Sequence, residues 1–410
     1  MYRTILLAFC VAIITTACQT TEEPTKKEPN FKAGSWRMQF SLEDDILNIQ
    51  MNIDSAMNVQ FINASEIIEA GKLALKNDSF YLEMPVYGTY FTGIRSSSDQ
   101  LKGHWHNTQK GPDYLVDISA QYQSSTFHSA SDLSLDNKYQ VTFSPNSEDE
   151  YPALGLISNP NQGAITGTFL TETGDYRYLH GFQTPDNLVL QCFDGSHLFL
   201  FEGDLKGDSI VNGSFRSGTH WQEPWFGVVN NTYELSHPDS ITTVLDDAPL
   251  VLNLVNTQGE FVTLGTDHFA DKLTIIQILG TWCPNCLDES RFYKELHEKY
   301  ASQGLQIIPV AFERSEDYQT SAITLERYLK ELDLPYDGYI GGKASKKIAS
   351  EAFPMLSDIV SFPTSIFVDQ EGNIQKVHTG FFGPGTGMYY DRYKSNTERF
   401  IQQNLPAVTQ

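Results

Sequence analysis

Two cysteines, Cys283 and Cys286, are placed to carry out thiol-disulfide chemistry. They lie in the stretch TWCPNC, between a strand-like apolar run and a helix-like segment. At the start of a helix, cysteines with this spacing can meet within one turn, and the helix N-terminus stabilises a thiolate on the first sulfur. Half of a zinc knuckle has the same spacing, but the chain has no second pair to complete one.

The residues around the cysteines predict a strand that leads into a helix. Residues 273–279 are nearly all apolar, as expected of a central strand covered on both faces, and residues 286–300 have a helical pattern. Strands and helices continue to alternate along the chain, with strands predicted at 250–255, 305–312 and 365–368 and a helix at 321–332. Residues 236–410 are therefore predicted to form an α/β domain with the cysteines at the carboxyl end of its central strand.

Residues 31–235 show a different pattern, in which apolar and polar residues alternate over strand lengths. Gly, Asp, Asn and Ser separate these segments and are typical of turns. We predict an all-β region, an antiparallel barrel or sandwich, so the chain is expected to be multidomain. A weak similarity between residues 78–105 and 186–215 suggests two related halves, although strands with glycine turns produce such echoes by chance.

The first 30 residues are predicted to be an export signal and a tether. Arg3 precedes an apolar run at 5–14 that is too short to span a bilayer, so residues 1–17 are interpreted as a signal peptide. The small residues before Cys18 resemble a bacterial lipoprotein cleavage box, which would make Cys18 the lipidated residue. An ordinary signal peptide cut nearby is the alternative. Residues 18–30 have the composition of a flexible linker.

The composition limits the classes of partner. The 410 residues carry a formal charge of −23, and both the β-rich region and the α/β region are acidic. Without a basic stripe, nucleic acid is not an expected partner. The histidines are too scattered to indicate a metal site, and we predict neither a metal nor a cofactor. The isolated Cys192 is interpreted as a small buried hydrophobic residue.

Several other segments have a structural interpretation. Residues 174–177 and 193–197 are predicted to be turns, because Gly and Asp accept the backbone angles of tight turns. Trp221 and Trp225 are predicted to fill a core. The glycine-rich residues 380–387 are predicted to be a flexible turn, since no Lys-Ser/Thr follows to bind phosphate. The sequence assigns no function to the β-rich region.

The cysteine motif and the features that follow it make residues 236–410 resemble a thioredoxin-fold domain of the TlpA/ResA class of exported, membrane-tethered thiol-disulfide oxidoreductases. The resemblance rests on the strand that ends in GTWCPNC, the acid at Glu289, the Phe-Pro-Thr segment at 362–364 before an apolar strand, and the turn DQEGN at 369–373. Each motif is short, but their combination and order are specific.

The resemblance implies a role for each of these residues. Cys283 would attack a substrate disulfide, and Cys286 would resolve the mixed disulfide. Pro363 would be cis and face the cysteines, so that the preceding backbone could pair with an extended substrate. The substrate would dock against residues on either side of the dithiol: Trp282, Phe362 and Thr364.

Glu289 is the candidate acid-base residue. It lies three residues after Cys286, on the same side of a helix, and matches a glutamate linked to cysteine proton chemistry in the resembled class. A carboxylate partly removed from water could hold a raised pKa. A solvated helix acid is the alternative, which is also how we interpret Asp288. Thioredoxins proper carry an aspartate where this chain has Gln277, which cannot ionise, so Glu289 is the better candidate.

Two other functional classes fit less well. A peroxiredoxin would need Thr and Pro where this chain has Gly280 and Ile276. A copper-delivery protein of the Sco type would use a wider cysteine spacing with a distant histidine, for which His378 is the tempting residue. A third alternative is a β-rich region that binds a ligand or partner and is serviced by an accessory redox domain.

The sequence therefore predicts an extracytoplasmic, lipid-anchored thiol-disulfide oxidoreductase. By family resemblance it would reduce disulfides of exported proteins, such as apocytochromes during cytochrome c maturation, and a membrane thiol reductant would recycle it. The substrate and the net direction of electron flow are left open by the sequence.

Overall fold

The computed structural model describes residues 31–123, 137–161 and 164–406. The predicted signal peptide, Cys18 and the tether lie outside these residues. Among the described helices, none combines the length and the apolar character needed to cross a membrane.

The first β unit is a nine-stranded antiparallel sheet with the strand order β4-β3-β2-β1-β9-β8-β7-β6-β5. In β1, alternate side chains from Trp36 to Leu42 are buried, as a period of two requires when one face covers a core. The strands are β1 Gly34–Leu42, β2 Asp45–Ile53, β3 Asn58–Asn63, β4 Glu66–Lys72, β5 Ala74–Lys76, β6 Ser79–Glu83, β7 Tyr90–Ser97, β8 Gln100–His106 and β9 Leu115–Tyr122.

The second β unit is also antiparallel, with the strand order β11-β10-β18-β17-β16-β15-β14-β12-β13. Because β11 also pairs with β12, the sheet closes into a barrel. Aromatic side chains, among them Phe143, Phe169 and Phe201, fill its interior. The strands are β10 Asn137–Phe143, β11 Tyr151–Asn161, β12 Ala164–Thr171, β13 Gly174–Asp175, β14 Leu179–Gln183, β15 Asn187–Phe193, β16 Leu198–Lys206, β17 Ser209–Ser217 and β18 Trp221–Val229.

The two tryptophans of β18 have different environments. Trp225 is 2% exposed and lies in the barrel core, as predicted. Trp221 is 48% exposed, so the prediction of a core position was wrong for this residue. Trp221 is the first residue of its strand and lies at the rim, where its indole N–H donates to Glu223.

The C-terminal domain is a seven-stranded mixed sheet with helices, in the strand order β20-β19-β23-β22-β21-β24-β25. Every residue of the central strand β21 is buried, and β21 runs parallel to β22 and antiparallel to β24. The predicted combination of an all-β region with an α/β domain is confirmed. The strands are β19 Leu252–Asn256, β20 Phe261–Leu264, β21 Leu273–Leu279, β22 Leu305–Glu313, β23 Tyr339–Lys343, β24 Thr364–Val368 and β25 Ile374–Thr379, and the helices are α1 Thr266–Phe269, α2 Pro284–Tyr300, α3 Tyr318–Glu331, α4 Lys346–Ala352 and α5 Met388–Asn404.

Candidate functional site

The two cysteines lie where β21 gives way to α2. The strand ends at Leu279, a short turn follows, and Cys283 is the N-cap of the helix that begins at Pro284. Cys283 and Cys286 form a disulfide, with their Cα atoms 5.2 Å apart. The backbone N–H of Cys286 points at the Cys283 Sγ from 3.2 Å. When the disulfide is reduced, this N–H group and the helix dipole would stabilise a Cys283 thiolate.

The loop before β24 lies against the first sulfur. The Phe362–Pro363 peptide bond is cis, as the resemblance implies, and the Phe362 carbonyl oxygen is 3.5 Å from the Cys283 Sγ. The rings of Trp282 and Phe362 meet edge to face, 5.7 Å apart. Thr364 is fully buried and donates to the Ser361 carbonyl, so its side chain does not line this surface. Of the three predicted docking residues, Trp282 and Phe362 are therefore the two beside the sulfurs.

Glu289 is fully buried, rather than partly removed from water as predicted. Its Oε2 accepts a hydrogen bond from Gln277 Nε2 at 2.9 Å. Its Oε1 accepts from three hydroxyl groups at 2.9 to 3.2 Å, those of Tyr393, Tyr293 and Ser365. Burial raises the pKa of Glu289 to about 7, although the hydrogen bonds act in the opposite direction. The residue can therefore exchange a proton near neutral pH.

Gln277 connects this acid to the dithiol. Its amide donates to Glu289 and, at 3.4 Å, to the carbonyl oxygen of Cys286, while its own oxygen accepts from Ser290. A glutamine cannot take up a proton here, but it orients the carboxylate relative to the second cysteine.

Sequence reasoning missed Tyr393, because it assigned no helix to the end of the chain. The signal was present: Tyr389, Tyr393, Thr397 and Ile401 recur every four residues and are the buried residues of α5. Through Tyr393, the last helix of the domain reaches the candidate acid.

Cys283, the residue expected to attack a substrate disulfide, is only 6% exposed, although attack on a substrate requires an accessible sulfur. The loop between β6 and β7 contributes to this burial. Val86 and Tyr87 of this loop belong to the same apolar cluster as both cysteines. The first β unit thus covers the dithiol.

Residues 174–177 of the barrel, which were predicted only to form a turn, also contact the cysteine motif. Asn285 Nδ2 donates to the carbonyl oxygen of Asp175 at 3.2 Å, and Arg177 Nη1 donates to the carbonyl oxygen of Pro284 at 3.2 Å. Arg177 also forms ion pairs with Asp288 of α2 and Glu66 of β4. Asp288 is 7% exposed, which corrects its interpretation as a solvated acid.

The glycine-rich residues 380–387 are also attached to the barrel instead of forming a free turn. The backbone N–H of Gly383 donates to Asp175 Oδ2 at 2.6 Å. Burial raises the pKa of Asp175 to about 6, and this hydrogen bond opposes the shift. The loop therefore belongs to the contact between the barrel and the C-terminal domain.

The turn at 193–197 reaches the other side of the motif. Ser196 Oγ donates to the carbonyl oxygen of Trp282 at 3.3 Å. Within the turn, Asp194 accepts from the backbone N–H groups of Ser196 and His197 and lies 3.1 Å from the His197 ring nitrogen. The prediction of a turn accounts for these internal contacts, but not for the contact with Trp282.

A second buried acid, Glu313, holds the backbone just before the cysteines. Its carboxylate accepts from the backbone N–H of Thr281 at 3.1 Å and from the Thr281 hydroxyl at 2.8 Å. Burial raises the pKa of this carboxyl. Glu313 is the last residue of β22, and no sequence motif identified it.

Within the described ranges, no group of three or more His, Cys, Asp and Glu side chains could hold a metal ion. His378, the residue considered for a copper site, has its ring nitrogen 2.5 Å from a carboxylate oxygen of Asp239. Cys192 is fully buried in the barrel core, and burial raises its pKa well above the ordinary value.

The comparisons with known proteins concern the C-terminal domain. Residues 239–391 match the family described as Redoxin. The chain is 27% identical over 124 residues to "Thiol-disulfide oxidoreductase ResA" of Bacillus thuringiensis subsp. konkukian, a match that covers 30% of this chain and 63% of the relative. The corresponding protein of Halalkalibacterium halodurans is 28% identical over 127 residues, covering 31% of this chain and 64% of the relative.

Among solved structures, StoA from Bacillus subtilis is 18% identical, with 37% of this chain and 99% of StoA covered and a TM-score of 0.27. The sequence matches, including a Redoxin match that spans the dithiol, confirm the predicted resemblance of this domain to TlpA/ResA-like thiol-disulfide oxidoreductases. The matched stretches cover slightly less than two thirds of the two relatives' own lengths.

Proposed function

We propose that the protein is a thiol-disulfide oxidoreductase whose reacting groups are Cys283 and Cys286. The observation that carries the proposal is the position of this pair at the N-terminus of α2, against the Phe362–Pro363 segment and one helical turn before a buried acid, Glu289. The similarity of residues 239–391 to the Redoxin family, and of the domain to proteins named ResA, supports the same chemistry.

The reaction proceeds in two exchanges. The Cys283 thiolate attacks one sulfur of a substrate disulfide, the substrate S–S bond breaks, and a thiolate leaves the mixed disulfide. Cys286 then loses its proton and attacks the Cys283 sulfur, which releases the second substrate thiolate and forms the Cys283–Cys286 disulfide. The substrate gains two electrons and the dithiol loses two. Glu289, with its pKa raised to about 7, takes up the proton that Cys286 loses.

The cellular setting follows from the sequence predictions. In this proposal Cys18 carries a lipid anchor, the protein faces an extracytoplasmic space, and its substrates are disulfides of exported proteins. A thiol reductant in the membrane returns the dithiol to its reduced form. The similarity to proteins named thiol-disulfide oxidoreductase ResA supports the chemistry of this scheme rather than its location.

Trapping of the mixed disulfide tests the proposal. Full-length protein with Cys286→Ser, produced in its native compartment, should accumulate partners linked to Cys283 that a reducing agent releases. Protein with Cys283→Ser is the matched control and should trap none. If the first variant traps no partner and the purified wild type fails to reduce insulin, the proposed function is wrong.

The reduction potential of the pair then determines the direction of electron flow. A value near that of thioredoxin, about −270 mV, would support a reductant, whereas one near −120 mV would indicate an oxidant. The measurement equilibrates the wild-type protein with defined thiol and disulfide buffers and quantifies the reduced fraction.

A further inference from the structure

The loop that joins β6 to β7 packs into the apolar cluster that contains both cysteines. Its two apolar side chains, Val86 and Tyr87, are 7% and 4% exposed. They pack in one cluster with residues of the C-terminal domain, of which Trp282 and Phe362 are partly buried and the others are buried: Leu279, Cys283, Cys286, Leu287, Ala311, Leu325 and Tyr328. The aromatic surface expected to receive a substrate is therefore already in contact with the protein's own chain.

Hydrogen bonds within the loop and to the barrel hold the loop in a defined conformation. The backbone N–H of Met84 donates to the Thr89 carbonyl at 2.8 Å, and the Thr89 hydroxyl donates to the Gly195 carbonyl at 2.6 Å. The loop also makes a polar contact with the C-terminal domain: the backbone N–H of Val86 donates to the carboxylate of Glu331, the last residue of α3. Residues 84–89 thus project from the first β unit as a preformed element.

Two features make the covered state less favourable than its apolar contacts suggest. Val86 has φ +68°, a left-handed conformation that is strained for a β-branched residue. The Tyr87 hydroxyl is buried without a hydrogen-bond partner among the described residues, which costs free energy that exposure to water would recover. The contact is therefore suited to opening.

We propose that residues 84–89 are an intramolecular cap that occupies the substrate-docking surface, so that a protein disulfide reaches Cys283 only when the cap withdraws. This inference rests on the proposed function, because it assumes that Cys283 attacks the substrate. Attack requires the substrate S–S bond to approach the sulfur directly, and the cap blocks that approach. An extended segment with apolar side chains beside its disulfide would replace Val86 and Tyr87.

The size of the effect follows from the population of the open state. If the open state makes up 0.1 to 10% of the molecules, removing the cap raises the rate of any reaction at Cys283 by about tenfold to a thousandfold. The cap would slow the reaction of Cys283 with small thiol reagents and with protein disulfides alike, because it covers the sulfur itself.

The test compares reduced, full-length variants. Tyr87→Ala removes the largest apolar contact of the cap, and Glu331→Ala removes its polar contact from the opposite side. Alkylation of Cys283 by a maleimide, located by peptide mass spectrometry, should be at least about tenfold faster in Tyr87→Ala, and also faster in Glu331→Ala. Insulin reduction should accelerate in the same order.

Each variant has a matched control. Tyr81→Ala changes a half-exposed tyrosine of β6, and Glu326→Ala changes an exposed glutamate of α3. Both should alkylate at the wild-type rate. Glu331 is exposed, so its replacement leaves the fold intact even if Tyr87→Ala does not fold.

Failure of the cap and failure of the proposed function can be told apart. Wild-type alkylation rates in both cap variants would overturn the cap, even where the wild type reduces insulin. Faster alkylation in the variants would support the cap even if no protein reduced insulin, and that failure, together with the absence of trapped partners in Cys286→Ser, would overturn the proposed function.

Discussion

Arg177 of the barrel and Asp288 of the active-site helix form an ion pair in which the two side chains are only 5% and 7% exposed. The same guanidinium pairs with Glu66 of the first sheet, which is 12% exposed. One buried arginine therefore joins all three structural units at the helix that carries the cysteines. Its position makes the covered state of the dithiol depend on contacts between the units.

Replacement of Arg177 by methionine should strongly destabilise the protein. Removing the arginine leaves the Glu66 carboxylate buried without its counter-charge and leaves Asp288 with the more exposed Arg291 as its remaining cation, and breaking a buried pair in this way typically costs about 3 to 5 kcal/mol. Urea unfolding, followed by circular dichroism, measures the change. Lys343→Met removes a cation from an exposed pair with Glu316 and should cost less than about 1 kcal/mol. Equal costs in the two variants would contradict a structural role for the buried arginine.

Replacement of Glu289 by glutamine should change how stability depends on pH. The folded-state pKa of Glu289, about 7, lies above its ordinary value of 4.5, so the folded state retains a proton that the unfolded state releases between these pH values. The wild type should therefore lose about 3 kcal/mol relative to Glu289→Gln as pH rises from 4.5 to 7, and little more above that.

Unfolding of the oxidised protein measures this difference, because the cysteines do not titrate as a disulfide. Glu298→Gln, the same change at an exposed position of α2, is the matched control and should follow the wild-type profile. A constant difference between wild type and Glu289→Gln across this pH range would show that Glu289 does not hold the proton.

Removal of the Tyr393 hydroxyl should raise the pKa of Glu289 further. This hydroxyl donates to the carboxylate at 2.9 Å and so favours its charged form. In Tyr393→Phe the pKa should rise by about one unit, as titration of isotope-labelled glutamate by NMR would report. Tyr336→Phe is the control, since the Tyr336 hydroxyl is buried and has no hydrogen-bond partner among the described residues. An unchanged titration in Tyr393→Phe would exclude the last helix from tuning the acid.

Local sequence patterns were sufficient to predict the core of the C-terminal domain. The run at 273–279 is β21 to the residue, and the helix predicted from Cys286 begins two residues earlier, at Pro284. These elements were predictable because a buried strand and the start of a helix are each determined by residues that are adjacent in the sequence. The resemblance likewise placed Pro363 beside the dithiol before the fold was known.

The contacts that cover the site were not predictable in this way. Arg177 and Ser196 lie in segments whose composition predicts only turns, yet each touches the cysteine motif across 86 or more positions of sequence. Val86 and Tyr87 also lie in a connecting loop. No periodicity marks such residues, because their partners are set by how the units pack against one another rather than by local structure.

Replacement of Glu313 should separate positioning of the cysteine turn from simple stability. Glu313→Ala leaves the N–H and hydroxyl of Thr281 without their acceptors, which should cost about 1 to 3 kcal/mol and slow disulfide exchange. Glu313→Gln keeps an oxygen for the Thr281 N–H and an amide that can donate to the hydroxyl, so it should recover most of both properties. Stopped-flow reduction of insulin and urea unfolding measure the two effects. If Glu313→Gln recovered stability but not the exchange rate, the charge of Glu313, rather than its hydrogen bonds to Thr281, would be what the dithiol requires.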